Sequence, residues 1–184
     1  MKFLSETCLF VRQFLRNRRE VGSVIPSSPF LVRTMLAVPS LAPARKILEL
    51  GAGLGCMTEG IVRRMRPDAS VTVVEVNPVF CRELRKRFTD PRVRVLNLSV
   101  FALAAHRTER FDCIISSIPL ANFTPAEQER LVEEVTRVLA PDGVYVQYQY
   151  SLISLRLLRK RFRSVRVRFV PLNIPPAFVY ICDA

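Results

Sequence analysis

The chain has 184 residues, 49% of them hydrophobic and 24% charged, which suits one domain with a real core and excludes a disordered tract. Lys and Arg number 28 against 16 Asp and Glu, a net charge of +12, so nucleic acid and anionic membrane are both credible partners. Five scattered cysteines (Cys8, Cys56, Cys81, Cys113 and Cys182) include no C-x-x-C pair, which argues against a disulfide framework or a metal site and for a reducing cytosol.

Residues 1 to 19 read as a basic amphipathic helix. Phe3, Leu4, Leu9, Phe10, Val11, Phe14 and Leu15 form its apolar stripe, and Lys2, Arg12, Arg16, Arg18 and Arg19 stand against one acid, Glu6. The basic residues interrupt the apolar ones, and no small-residue cleavage site of the secretory kind follows. No run approaches the ~18 to 20 apolar residues needed to span a bilayer, so any membrane contact is at the surface. Two readings stay open: an interfacial helix with Lys2, Phe3 and the arginines in the headgroup layer, or a helix capping the sheet edge. The rest, residues 20 to 184, forms one domain. Gly22, Pro26 and Pro29 shape a connection, and Ser27 or Ser28 is placed to N-cap a helix through Met35.

The apolar run Ile47–Leu50 predicts a buried parallel strand that breaks into a loop with glycine at 51, 53 and 55. A second run, Val71–Val74, ends on the acid Glu75. Glycines let a ligand lie against the main chain, and an acid at the end of the next strand suits the two hydroxyls of a ribose. The layout predicts an adenosine-containing ligand at the edge of a doubly wound sheet. Cys56 stands where the last glycine of the dinucleotide fingerprint belongs, and Glu49 lies two residues before the first glycine. A carboxylate there suits a cation better than a pyrophosphate.

Further along, a crossover helix is expected over Met57–Arg66, and a helix over Val79–Phe88 that starts at Asn77-Pro78. A strand over Val93–Leu96 runs into Asn97-Leu98-Ser99, and His106, the only histidine, falls in a polar surface stretch. Phe111–Ile115 reads as the fourth strand, followed by Ser116-Ser117-Ile118-Pro119-Leu120. Thr124-Pro125-Ala126-Glu127 is a capping box that opens a helix to about Leu139. Pro141-Asp142-Gly143 then predicts a tight turn into the strand Val144–Tyr150, on which Tyr148 and Tyr150 share a face. A basic helix (Ser154–Phe162), a strand (Val165–Val170) and a last strand through Tyr180 complete the chain.

Glu49-x-Gly51-x-Gly53-x-Gly55 resembles the first motif of class I S-adenosylmethionine-dependent methyltransferases. The Gly22-Ser23-Val24-x-Pro26-Ser27-Ser28 string, Ser116-x-x-Pro119-Leu120, Gln147-Tyr148-Gln149-Tyr150 and Asn173-x-Pro175-Pro176-Ala177-x-Val179-Tyr180 are similar, within that class, to bacterial phospholipid N-methyltransferases and their ornithine-lipid relatives. The resemblance implies a Rossmann-like α/β fold, with a mostly parallel seven-stranded sheet ending in an antiparallel hairpin. It implies S-adenosylmethionine as cofactor, met by Glu49, Gly51, Ala52, Gly53, Gly55, Glu75, Val76, Leu98 and Ser99, with Leu98 standing where the family carries an adenine-binding Asp. It also implies an acceptor amine near Ser116, Tyr148 and Tyr150, and stepwise methylation of phosphatidylethanolamine to phosphatidylcholine on the inner face of the cytoplasmic membrane. Two alternatives share the motif order. One is an rRNA adenine dimethyltransferase, disfavoured by Ser116 and Leu120 where such enzymes carry Asn and an aromatic residue. The other is a non-catalytic lipid- or RNA-binding protein on a decayed fold, for which Leu98 is the best argument.

Overall fold

The computed structural model describes residues 27–106 and 109–184. The expected helix at residues 1 to 19 lies outside them, as do Lys2, Phe3, Arg12, Arg16, Arg18 and Arg19. Seven strands form one sheet: β1 (Lys46–Leu50), β2 (Ser70–Glu75), β3 (Val93–Asn97), β4 (Phe111–Ser116), β5 (Leu139–Gln149), β6 (Ser164–Val170) and β7 (Ala177–Asp183). Their order is β3-β2-β1-β4-β5-β7-β6. The pairs from β3 through β5 are parallel, while β7 runs antiparallel to both neighbours and is inserted between β5 and β6. The expected Rossmann-like sheet with its closing antiparallel hairpin is therefore present. Strand order reverses between β1 and β4, the position where such sheets open a crevice at the carboxyl ends of their strands.

Among the described residues six helices flank the sheet: α1 (Pro29–Leu36), α2 (Cys56–Val62), α3 (Pro78–Arg87), α4 (Leu103–His106), α5 (Pro125–Val138) and α6 (Leu155–Arg161). Alternation along the strands divides the core in two. Ile47, Val71, Val73, Cys113, Ile115, Val144 and Val146 pack with Leu31 and Met35 of α1 and with Met57 and Ile61 of α2. Leu48, Leu50, Ile114 and Tyr145 pack on the other face, with Leu131, Val132, Val135 and Val138 of α5 and Leu158 of α6.

Local chemistry explains most boundaries. Ser28 caps α1, its hydroxyl accepting from Leu31 N–H at 3.2 Å, and Asn77 does the same for α3, from Val79 N–H at 2.8 Å. Thr124 and Glu127 form the reciprocal box at the start of α5. Two expectations need correcting. The crossover helix stops at Val62, four residues early, because the chain tightens there: Arg64 N–H bonds to Ile61 C=O, only three residues back, at 2.9 Å. Pro141-Asp142-Gly143 makes no separate turn before the strand; β5 begins at Leu139 and carries these residues as a bulge between the pairs Phe111–Leu139 and Cys113–Val144. His106 is exposed, as expected.

Thr124→Ala removes one half of the capping box and should cost about 1 kcal/mol of stability, read by denaturant unfolding.

Candidate active site

The loop after β1 carries three left-handed glycines, with φ of 72° at Gly51, 54° at Gly53 and 84° at Gly55. Gly55 caps α2 in that conformation, and a Cβ there would lie 2.6 Å from the Phe88 ring and 2.8 Å from Leu84, so this position is closed by packing. Gly53 is the opposite case. A Cβ there would meet nothing within 4 Å, so the backbone at this point borders open space. Gly53 N–H donates to Glu75 Oε2 at 2.9 Å, and Asn77 N–H donates to Oε1 of the same carboxylate at 2.9 Å. Glu75 thus fixes the loop to the end of β2 while each oxygen keeps a second lone pair for a ligand hydroxyl.

Glu49 is fully buried on β1, and neither carboxylate oxygen has a hydrogen-bond partner of good geometry. Burial pushes its pKa up to about 7, the nearby Glu75 charge adds to the rise, and the hydroxyl and amide of Thr58 draw it part of the way back. Those Thr58 groups lie close without completing a bond, and the Thr58 hydroxyl is itself unpartnered. A buried carboxylate in that state favours a cation beside it. The open backbone at Gly53, the ribose-competent Glu75 and the cation-seeking Glu49 fit S-adenosylmethionine, which joins a ribose to a sulfonium and an ammonium. Ala52 is nearly buried and accepts from Gly55 N–H, and Val76, just past Glu75, is 69% exposed.

At the adenine end, Leu98 is half-buried against the α5-side core. Its neighbours have local tasks. The Asn97 amide donates to the carbonyls of Glu75 and Val76 at 3.0 and 2.9 Å, and the Ser99 hydroxyl caps Phe101 N–H at 3.3 Å. Among these three residues no carboxylate replaces the missing Asp.

The expected acceptor residues do not converge. Ser116 pairs with Gln147 across β4 and β5 and is fully buried, its hydroxyl accepting from Ile118 N–H at 3.3 Å. Tyr148 and Tyr150 pack against the core on the opposite face, beyond Val146, with ring centroids 5.6 Å apart in an edge-on pair. That is the face of Glu49, which lies in register with Ile115 and, through it, with Val146.

Sequence reasoning missed the two glutamines that alternate with these tyrosines. Gln147 and Gln149 are both buried, and both side-chain amides donate to the Ile118 carbonyl, at 2.7 and 3.0 Å. The Tyr145 hydroxyl bonds to Gln147 Oε1. The turn after β4 is therefore held by a buried polar network, and it touches the glycine loop, since a Cβ on Gly51 would sit 3.0 Å from Ile118 Cγ1. Two buried glutamines at period two on a central strand are the signal that marks such a network.

A family profile described as a methyltransferase domain matches residues 47–143. Ornithine lipid N-methyltransferase of Singulisphaera acidiphila is 35% identical over 95% of this chain and 94% of its own length. A probable ribosomal RNA small subunit methyltransferase A of Methanosarcina barkeri is 33% identical, but over 46% of this chain and 28% of its own length. The crystal structure of the N-methyltransferase NodS from Bradyrhizobium japonicum, in complex with S-adenosylhomocysteine, superposes with a TM-score of 0.72 at 15% identity, covering 92% of this chain and 97% of that one.

The two glycines should respond differently. Gly53→Ala should cost about 1–2 kcal/mol for its left-handed backbone yet sharply weaken S-adenosylmethionine binding, whereas Gly55→Ala should lower stability by roughly 3 kcal/mol through the added clash, as read by unfolding and calorimetry. For Glu49 the sign follows from a folded pKa above the unfolded one. Its contribution to ligand-free stability is full below about 4.5 and is lost as pH rises through about 7. Glu49→Gln should therefore stabilise the ligand-free protein by roughly 1–3 kcal/mol at pH 8 and make little difference at pH 5, measured by denaturant titration at both.

Proposed function

The chain belongs to the class I S-adenosylmethionine-dependent methyltransferases, and we propose that it methylates the amine of a membrane lipid at the bilayer surface. Ornithine lipid and phosphatidylethanolamine are the two headgroups in view. The observation that carries the lipid reading is the 35% identity to an ornithine lipid N-methyltransferase along almost the whole of both chains. The similarity of residues 116–120, 147–150 and 173–180 to lipid N-methyltransferases supports it. No described helix is long and apolar enough to cross a membrane. Approach to the lipid is proposed to be at the surface, with the basic stretch at residues 1 to 19 as one contact.

S-adenosylmethionine is the cofactor, and it supplies an electrophilic methyl group on a sulfonium. The chain's part is to hold reactants in line and dry, since methyl transfer needs little else beyond an unprotonated nucleophile. Gly53 leaves room at the main chain, Glu75 takes the ribose, and Glu49 sets a negative charge beside the cation. Gln147 and Gln149 hold the Ile118 carbonyl, and with it the turn at the acceptor end of β4. Tyr148 and Tyr150 offer ring faces to a methylated ammonium by cation–π attraction, and hydroxyls to relay the proton that the amine sheds before attack. Ser116 acts at one remove, by bracing the turn.

The adenine-directed reading fares worse on a specific observation. Leu120, where a base-stacking ring would stand, is fully buried in the α5-side core and offers no face to a flipped base.

Radiolabelled methyl transfer should be measured to liposomes containing ornithine lipid, to liposomes containing phosphatidylethanolamine, and to ribosomal RNA. Incorporation into at least one lipid and none into RNA is expected; methylation of RNA alone, or of nothing despite cofactor binding, would overturn the proposal. In the same assay a Tyr148→Phe, Tyr150→Phe double variant should lose about tenfold or more in turnover, and full turnover would remove the tyrosines from the reaction.

A further inference from the structure

Large hydrophobic side chains left exposed among the described residues are not scattered. Of ten, only Val167 lies away from the carboxyl edge of the sheet, where the loops after the parallel strands emerge. Leu54, Val76 and Val79 flank the glycine loop. The other six gather on the β5–β6 side. Leu152 and Ile153 follow β5, Phe169 ends β6, and Leu172 and Ile174 lie in the β6–β7 loop. Phe30 opens α1 and is drawn to that loop by the hydrogen bond from Ser28 N–H to Asn173 Oδ1, at 3.2 Å. Ile153 and Ile174 are the most exposed of the six, at 73% and 66%. Between α1 and β6 runs an open groove of about 570 Å³, lined by Phe30, Phe169 and Leu172 together with Arg33 and Arg168. Among the described residues neither guanidinium meets a carboxylate; Arg168 donates only to the Ala37 carbonyl, at 3.3 Å.

We propose that this β5–β6 side of the carboxyl edge is a second membrane-docking surface, built into the folded domain, with the six apolar side chains entering an anionic bilayer and Arg33 and Arg168 meeting its phosphates. Three observations favour a bilayer. Protruding apolar side chains mixed with exposed cations match the layered chemistry of an anionic lipid surface. The chain's net charge of +12 has the complementary sign. The described chain begins at Ser27, beside the Ser28–Asn173 bond on this same edge, and the sequence before it carries a basic amphipathic stretch. The inference rests on the lipid reading for its purpose: docked this way, the ends of β4 and β5 face the membrane, and a lipid amine reaches the site without leaving the bilayer.

The chain contains no tryptophan, so a single introduced one reports alone. Ile174→Trp and Pro91→Trp, the latter at the opposite edge before β3, should be made in the full chain and mixed with vesicles of phosphatidylglycerol or of phosphatidylcholine. The Ile174→Trp emission should shift to the blue and be quenched by brominated phosphatidylglycerol, with a weaker response to phosphatidylcholine, while Pro91→Trp stays unchanged. A Leu172→Ser, Ile174→Ser variant should bind the anionic vesicles at least about tenfold more weakly with unaltered S-adenosylmethionine affinity. No shift at 174, equal shifts at both positions, or wild-type vesicle affinity in the serine variant would overturn the proposal. So would a blue emission that is present before vesicles are added and unmoved by them, since that would put residues 1 to 26 in the groove. These vesicles contain no lipid amine, so docking is tested apart from transfer. Docking without methylation of any lipid would count against the proposed function alone, and methylation without docking against this surface alone.

Discussion

Two carboxylates at the carboxyl edge of adjacent parallel strands govern this molecule, and they are treated differently. Glu75 has both oxygens engaged by main-chain amides of Gly53 and Asn77, so it is satisfied before any ligand arrives and holds the glycine loop in shape. Glu49 is fully buried and unsatisfied, and the fold bears that cost. A buried unpartnered acid with a pKa pushed up to about 7 is a destabilising element that a cationic ligand converts into a favourable one. The first acid preorganises the loop, and the role proposed for the second is to select charge.

The turn after β4 emerges at the same edge and meets the glycine loop where Ile118 lies against Gly51, with Ser117 N–H donating to the Leu50 carbonyl at 2.9 Å beside it. Ile118 is pinned by two glutamine amides from β5. The strand that carries the tyrosine pair on one face thus braces the β4 turn from the other. Such a network suits a reaction whose demands are alignment and dryness, because fully satisfied buried polar groups stiffen a site more than apolar packing alone. The Ser116 hydroxyl, accepting from Ile118 N–H, is one of the bonds that shape the turn.

Much of this was legible beforehand, wherever the signal is local. The glycines at 51, 53 and 55 and the box at Thr124 and Glu127 each act within a few residues of themselves, and the structure carries their local conformations as expected. What depends on register was not legible. That Ser116 shares a face with Gln147, and Tyr148 the face of Glu49, follows from the β4–β5 pairing, and the bulge at Pro141-Asp142-Gly143 shifts that pairing by residues that read locally as a turn. The carboxyl-edge apolar rim was invisible for a related reason. Phe30, Ile153 and Ile174 are far apart in sequence, and only the sheet order brings them to one edge.

Selection of the cationic cofactor by an uncompensated Glu49 is the role proposed for this acid. It is tested most directly by the protons exchanged when S-adenosylmethionine binds, obtained by calorimetry in buffers of different ionisation enthalpy. If the cofactor's charge draws Glu49 into its ionised form, binding at pH 6 releases a proton that is absent from the balance at pH 8.5, and affinity rises with pH through about 7. Release that is absent at pH 6, or equally present after Glu49→Gln, would contradict the account.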